Sequence, residues 1–341
     1  MRHRFIASFG VAAAVAFVAA LGPDARAQST QAPRPVAPKW TPPRTADGRP
    51  DFHGEWSFAN ITPLERPANL GDKATLTDAE AAQIEEQNAA RSKQDEGRQR
   101  GTAADVNRAY NDFWYDRGTR VASTKQTSLV VDPPNGRIPP TTPEAQARVA
   151  ARTSARQAAR RGPADGPEDR SLAERCLIGF NAGPPFTPSA YNNNIRFVQT
   201  PTHVVIEMEM VHDARIVPLD NSKRMSSSLK QWMGESRGHW DGDTLVVETT
   251  NFSEKNQPFA RFGATPTLKL TEKFWRPDAG TLMYEYTVTD PATFTRPWTA
   301  RIPLEKLLVS EDVYEYACHE GNYGMDGILK GTRAEEKGAQ K

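Results

Sequence analysis

From about residue 190 the chain becomes a series of short segments in which apolar and polar residues alternate. FVQTPTHVVIEME, HWDGDTLVVETT, FWRPDAGTLMYEYT and LLVSEDVYEYA share one form. Each has an apolar or aromatic end, a polar turn, and then an apolar strand closed by an acid. Val204, Leu245, Leu282 and Val313 take equivalent places in this degenerate repeat. A period of two marks strands, and turn signals such as Asp241-Gly242 mark hairpins. Successive hairpins give an antiparallel meander, which avoids open edges by closing or by pairing two sheets. The expected fold is mainly β: a meander closed as a barrel or barrel-like sandwich, with helical decoration from the N-terminal half.

That decoration is read from two polar segments. Thr77-Asp-Ala-Glu80 is a capping box ahead of good helix formers, predicting a helix near 77–98. Thr142-Pro143 opens a second, near 142–161, with Pro at the first helical position. Its Arg148, Arg152, Arg156, Arg160 and Arg161 read as a solvated face rather than an acid-binding stripe. QTSLVVDPPNGRIPP predicts a strand, a Pro-Pro-Asn-Gly turn and a short return. Gly54 and Trp56, in PDFHGEW, resemble the opening of lipocalin-like barrels, in which a Trp packs across the barrel floor.

The first 27 residues have the form of a signal peptide: a basic start, the apolar run IASFGVAAAVAFVAAL, and Ala25-Arg26-Ala27 as cleavage site. Residues 28–50 read as a Pro-rich linker and 51–336 as one β-rich domain. Cleavage removes three of the 43 basic and one of the 42 acidic residues, leaving 40 against 41. So balanced a charge favours neither nucleic acid nor an anionic membrane surface as partner. No later run is apolar enough to span a bilayer. A periplasmic or secreted location follows, and there the two cysteines, Cys176 and Cys318, are expected as a disulfide. The competing reading makes Cys318 a nucleophile beside His319.

Candidate chemistry concentrates in EMEMVHDAR, residues 207–215. Read as one strand, it puts His212 on the face of Ile206, Met208 and Met210. Glu207, Glu209, Asp213 and Arg215 share the other face, and alternation alone does not choose which face lines the interior. His212 is then a general acid or base, Asp213 its orienting or charge-balancing neighbour, and Arg215 a clamp for an anionic substrate group. Glu207 and Glu209, two apart on a strand, project side by side rather than across a substrate. His319 and Glu320, next to Cys318, complete the catalytic set if the disulfide pins them near the Asn-rich loop. Ligand contacts are expected from Tyr191 and Asn193 of that loop, from Trp114 in YNDFWYDRG, and from Trp240.

Metalloprotease, zinc-finger, serine-hydrolase, Walker and dinucleotide motifs do not occur. His212, Asp213, His239, His319 and Glu320 follow no known metal-ligand spacing, so neither metal nor cofactor is expected.

YNDFW (110–114), TSLVVDPPNGR (127–137), YNNN (191–194), VHDAR (211–215), WDGDTLVVETTNF (240–252) and CHEGNY (318–323) together resemble a family of exported bacterial proteins with no assigned activity. The resemblance covers roughly residues 50–336 and implies no site roles. The leading expectation is an exported acid–base enzyme acting on a small organic molecule in a polar-lined barrel pocket, as lyase, isomerase or hydrolase. A non-catalytic ligand-binding barrel and a structural envelope protein with a filled barrel stand beside it. The sequence leaves oligomeric state open.

Overall fold

Alternation translates directly into strands: β1 Gly54–Ser57, β2 Val130–Asp132, β3 Asn194–Gln199, β4 His203–Met208, β5 Ala214–Pro218, β6 Glu235–Asp241, β7 Thr244–Thr250, β8 Lys269–Trp275, β9 Thr281–Thr289 and β10 Trp298–Lys306. They belong to a computed structural model that describes residues 40–96, 99, 101–102, 115–220, 222–256, 263–308 and 313–339. The strands form one antiparallel sheet in the order β5-β4-β3-β1-β10-β9-β8-β7-β6, with β2 joined to β10. It curls until it nearly closes. Gly238 in β6 fits the seam, because a Cβ there would lie 2.9 Å from both Val217 of β5 and Leu219 just after it.

Three of the four repeat units are hairpins, and their equivalent residues Val204, Leu245 and Leu282 are fully buried. The fourth is not. Residues 313–317 run without regular strand structure, and Val313 lies outside the core. The Pro-Pro-Asn-Gly turn forms, closed by the Gly136 N–H donating to the Pro133 carbonyl, but no return strand follows. Residues 40–50, expected as linker, instead make an ordered turn, with the Asp51 N–H donating to the Pro43 carbonyl and Arg276 over the Trp40 ring. The expected signal peptide and the expected linker as far as residue 39 lie outside the described residues.

The barrel interior is filled. Trp56 of β1 is fully buried, and its indole N–H donates to the Phe52 carbonyl. Phe186, carried in by the loop between the disulfide and β3, stacks on Tyr284 at 3.9 Å, and Phe274, the cross-strand neighbour of Tyr284, lies 4.9 Å from it. Rings of this size exclude water and dominate the burial energy. Helix α1, Asp78–Glu96, starts at the capping box, where Thr77 and Glu80 exchange hydrogen bonds. Its Ala81 packs in a small satellite cluster with Leu76 and Val121. Helix α2, Pro143–Ala158, is capped by Thr142. A third helix, α3, Tyr323–Ala339, was not anticipated. Glycines at 324, 327, 331 and 338 lower its intrinsic helix propensity. No helix among the described residues is long and apolar enough to cross a membrane.

Candidate functional site

EMEMVHDAR is a hairpin rather than a strand. β4 ends at Met208, a tight turn follows, and β5 returns antiparallel from Ala214, with Ile206 opposite Arg215. The Met208 N–H donates to the Asp213 carbonyl and the His212 N–H to the Glu209 carbonyl. Val211 at φ 61° and His212 at φ 43° both occupy the left-handed region. A β-branched residue there is uncommon, and such strain gathers at functional sites.

This reversal re-sorts the side chains. Arg215 turns into the barrel beside Val217, and Ile216 faces out at 61% exposure. Inside, Arg215 meets Glu272 of β8, which is fully buried between the inward positions of Leu270 and Phe274. The guanidinium donates twice, at 2.6 and 3.1 Å, and the Tyr284 hydroxyl donates to the same carboxylate at 2.8 Å. Burial, first, and then the Glu272 charge raise the Tyr284 pKa well above its ordinary value. Arg215 is therefore committed to an internal ion pair and is not a free clamp for substrate.

At the end of the barrel formed by the β4–β5 turn lies an open cavity of about 390 Å³, within the size range of small-ligand sites. Asp116, Tyr191, Asn192, Asn194, Glu209, Tyr314 and Tyr316 line it. Glu209 is buried and accepts from the Asn194 amide at 2.9 Å, the Asn192 amide and the Tyr314 N–H. Those donors favour its anion, but burial outweighs them, and with the charge of Asp116 nearby the pKa is raised. Asp116 is exposed at the cavity mouth, and partial desolvation of its carboxyl raises its pKa too. The Asp116 backbone is fixed at both ends, its N–H on Ala190 and its carbonyl on Asn193. Two carboxyls that both resist ionisation in one cavity are suited to divide the roles of proton donor and acceptor.

Of the expected catalytic residues, His212 is exposed, and its Nδ1 lies 2.9 Å from the Tyr316 carbonyl, which ties the turn to the cavity wall. Asp213 follows on the side away from solvent. Burial raises its pKa to about 6, against the Gly179 N–H donated to it and the neighbouring His212, which both lower it. Its Oδ2 is buried without a partner among the described residues. Cys176 and Cys318 form the disulfide, so Cys318 is no free nucleophile. His319 and Glu320 are exposed in the turn just beyond it. Among the described residues no three His, Cys, Asp or Glu side chains group as metal ligands.

Tyr191 lines the cavity. Asn193 is fully buried beneath it, its amide donating to the Asp116 and Ser189 carbonyls and accepting from the Ser189 N–H, so it shapes the loop and does not face the cavity. Trp240 packs on Phe52 at 5.3 Å, beside the β6–β7 turn at the opposite end of the barrel. Trp114 lies outside the described residues. Filling of the interior thus moves the expected pocket from the lumen to the rim. Sequence reasoning missed Asp116, and it weighed Glu209 only as one of a strand face shared with Glu207, Asp213 and Arg215, or as a pair with Glu207. The hairpin separates that pair: Glu207 stays on the outer face 3.5 Å from Arg196.

No protein-family model matches the chain, and no curated protein matches it in sequence.

Proposed function

We propose that the protein is an exported enzyme that performs acid–base chemistry on a small, polar organic molecule in the Glu209–Asp116 cavity. One observation carries this reading: two carboxyls of raised pKa, Glu209 on a strained hairpin and Asp116 on a neighbouring loop, line the same solvent-open cavity. Glu209, with three donors around it, is the better fixed and takes the proton from substrate. Asp116, at the mouth, exchanges protons with solvent. Tyr191, Tyr314 and Tyr316 offer flat faces and hydroxyls, and the Asn192 and Asn194 amides suit hydroxyl or carbonyl groups. Asp213 and His212 position the turn that carries Glu209. The intramolecular disulfide and the signal-like N-terminus support export.

A lumen carrier fits poorly with the stacked rings inside the barrel. The filled barrel is also what a structural envelope protein would have, and turnover separates the two. Mature wild-type protein and Glu209→Gln, disulfide intact, are each incubated with a cell metabolite extract, then denatured, and the released molecules identified by mass spectrometry. Glu209→Gln is expected to retain a molecule that wild type converts when it is supplied. Failure of both proteins to retain or convert any molecule contradicts the enzymatic reading.

A further inference from the structure

A second and larger cavity, about 940 Å³, opens beside the loop that carries Phe186 into the barrel. Its walls differ in chemistry from the rim cavity. Its apolar lining comes from Leu172, Phe180, Pro184, Pro185 and Trp232. The charged lining consists of Arg152, Arg170, Arg175 and Lys255 together with the acids Glu168 and Glu254.

The placement of these charges matters more than their number. Both acids are exposed, whereas Arg170 and Arg175 are half-buried, so the deeper charges are positive. Arg170 is partly neutralised: it pairs with Glu174 and donates to the Pro163 carbonyl, but its Nε is buried with no partner among the described residues. Arg175 and Lys255 have no carboxylate partner among the described residues. A half-buried guanidinium loses hydration and gains no counter-charge, a cost that a bound anion reverses. Arginine's planar fork fits a carboxylate or similar oxyanion in two-point contact. The aromatic and proline surfaces of the same cavity suit a flat apolar body. Phe180 also meets Tyr191 edge-on at 5.3 Å, so a single pair of rings separates this cleft from the rim cavity.

We propose that the cleft lined by Arg175, Phe180 and Trp232 is a second ligand site, which binds aromatic carboxylates, acid on the arginines and ring on the apolar side chains. It is independent of the acid–base reading of the rim cavity.

The test uses 1-naphthoate as probe and 1-naphthalenemethanol as its neutral counterpart, titrated into mature protein by calorimetry with Trp fluorescence alongside. Saturable one-to-one binding of the naphthoate is expected, at least 10-fold tighter than the alcohol and weakening as NaCl rises from 0.02 to 0.2 M, in line with the shortening Debye length. Arg175→Ala should weaken it about 10-fold or more, as loss of a charged hydrogen bond implies, and Lys255→Ala to a smaller degree. Glu209→Gln should leave it unchanged. Absence of binding at millimolar naphthoate, equal binding of acid and alcohol, or full affinity in a folded Arg175→Ala each overturns the proposal. If Arg175→Ala does not fold, unchanged affinity and salt dependence in Lys255→Ala overturn it instead. A loss in Glu209→Gln would put the probe in the rim cavity and also refute the assignment.

Discussion

Replacing Glu272 by Leu leaves the Arg215 guanidinium inside the barrel, 8% exposed, with its counter-charge gone. It also strips the Tyr284 hydroxyl of its acceptor. Removing one partner of a buried ion pair costs about 3–5 kcal/mol, because the remaining charge is stranded. With a urea m-value of about 3 kcal/mol/M, that is a fall in midpoint of roughly 1–1.7 M. Arg215→Met alone strands the carboxylate and should cost a similar amount. The double variant Arg215→Met/Glu272→Leu strands neither, and replacement of such pairs by apolar groups is often neutral or stabilising. Its midpoint is therefore expected to return to within about 1 kcal/mol of wild type, a coupling of several kcal/mol in the double-mutant cycle. The assay is equilibrium urea unfolding followed by Trp fluorescence, disulfide intact. The same double variant should keep any activity that the proposed rim site shows, since Arg215 does not line that cavity. Single variants that lose less than 1 kcal/mol, or a double variant as unstable as the singles combined, would refute this account of Arg215.

Asp213 gives a pH signature of reversed sign to that of most carboxylates. Its folded pKa of about 6 lies above the ordinary 3.8, so the native state holds a proton that the unfolded chain has released. Its contribution to stability is neutral below about pH 4 and becomes a penalty as pH rises to about 6. Asp213→Asn should match wild type at pH 3 and exceed it at pH 7 in thermal unfolding. The disulfide joins residues 142 apart, so reduction should lower stability by about 4–5 kcal/mol on the chain-entropy treatment, measured by urea unfolding with and without dithiothreitol. A Cβ on Gly179 would meet Met210 Cγ at 2.0 Å. Gly179→Ala should therefore cost about 1–3 kcal/mol by overpacking, and Met210→Ala in the same chain should recover part of it, both read by urea midpoint.

The hairpins of β3–β4, β6–β7 and β8–β9 were legible because strict alternation brackets turns rich in Asp, Gly, Pro and Thr. The β4–β5 hairpin was not. Its turn is made by Val211 and His212 in left-handed conformations, and neither residue type signals a turn, so alternation reads straight through it. That one misreading reversed the faces of Asp213 and Arg215. Glu272 carried a visible signal, an acid at an inward position between Leu270 and Phe274. Tyr191 and the disulfide were within reach of sequence reasoning. Asp116 was not, because its place beside Glu209 depends on Asn193 and the loop that carries Phe186 into the barrel.

Site-resolved carboxyl titration by ¹³C NMR of the mature protein tests the paired-carboxyl site most directly, without a substrate. Both Glu209 and Asp116 should titrate above the ordinary carboxylate range, and Asp116→Asn should move Glu209 downward by removing a neighbouring negative charge. Ordinary titration of both groups, with Glu209 indifferent to Asp116→Asn, would contradict the central claim.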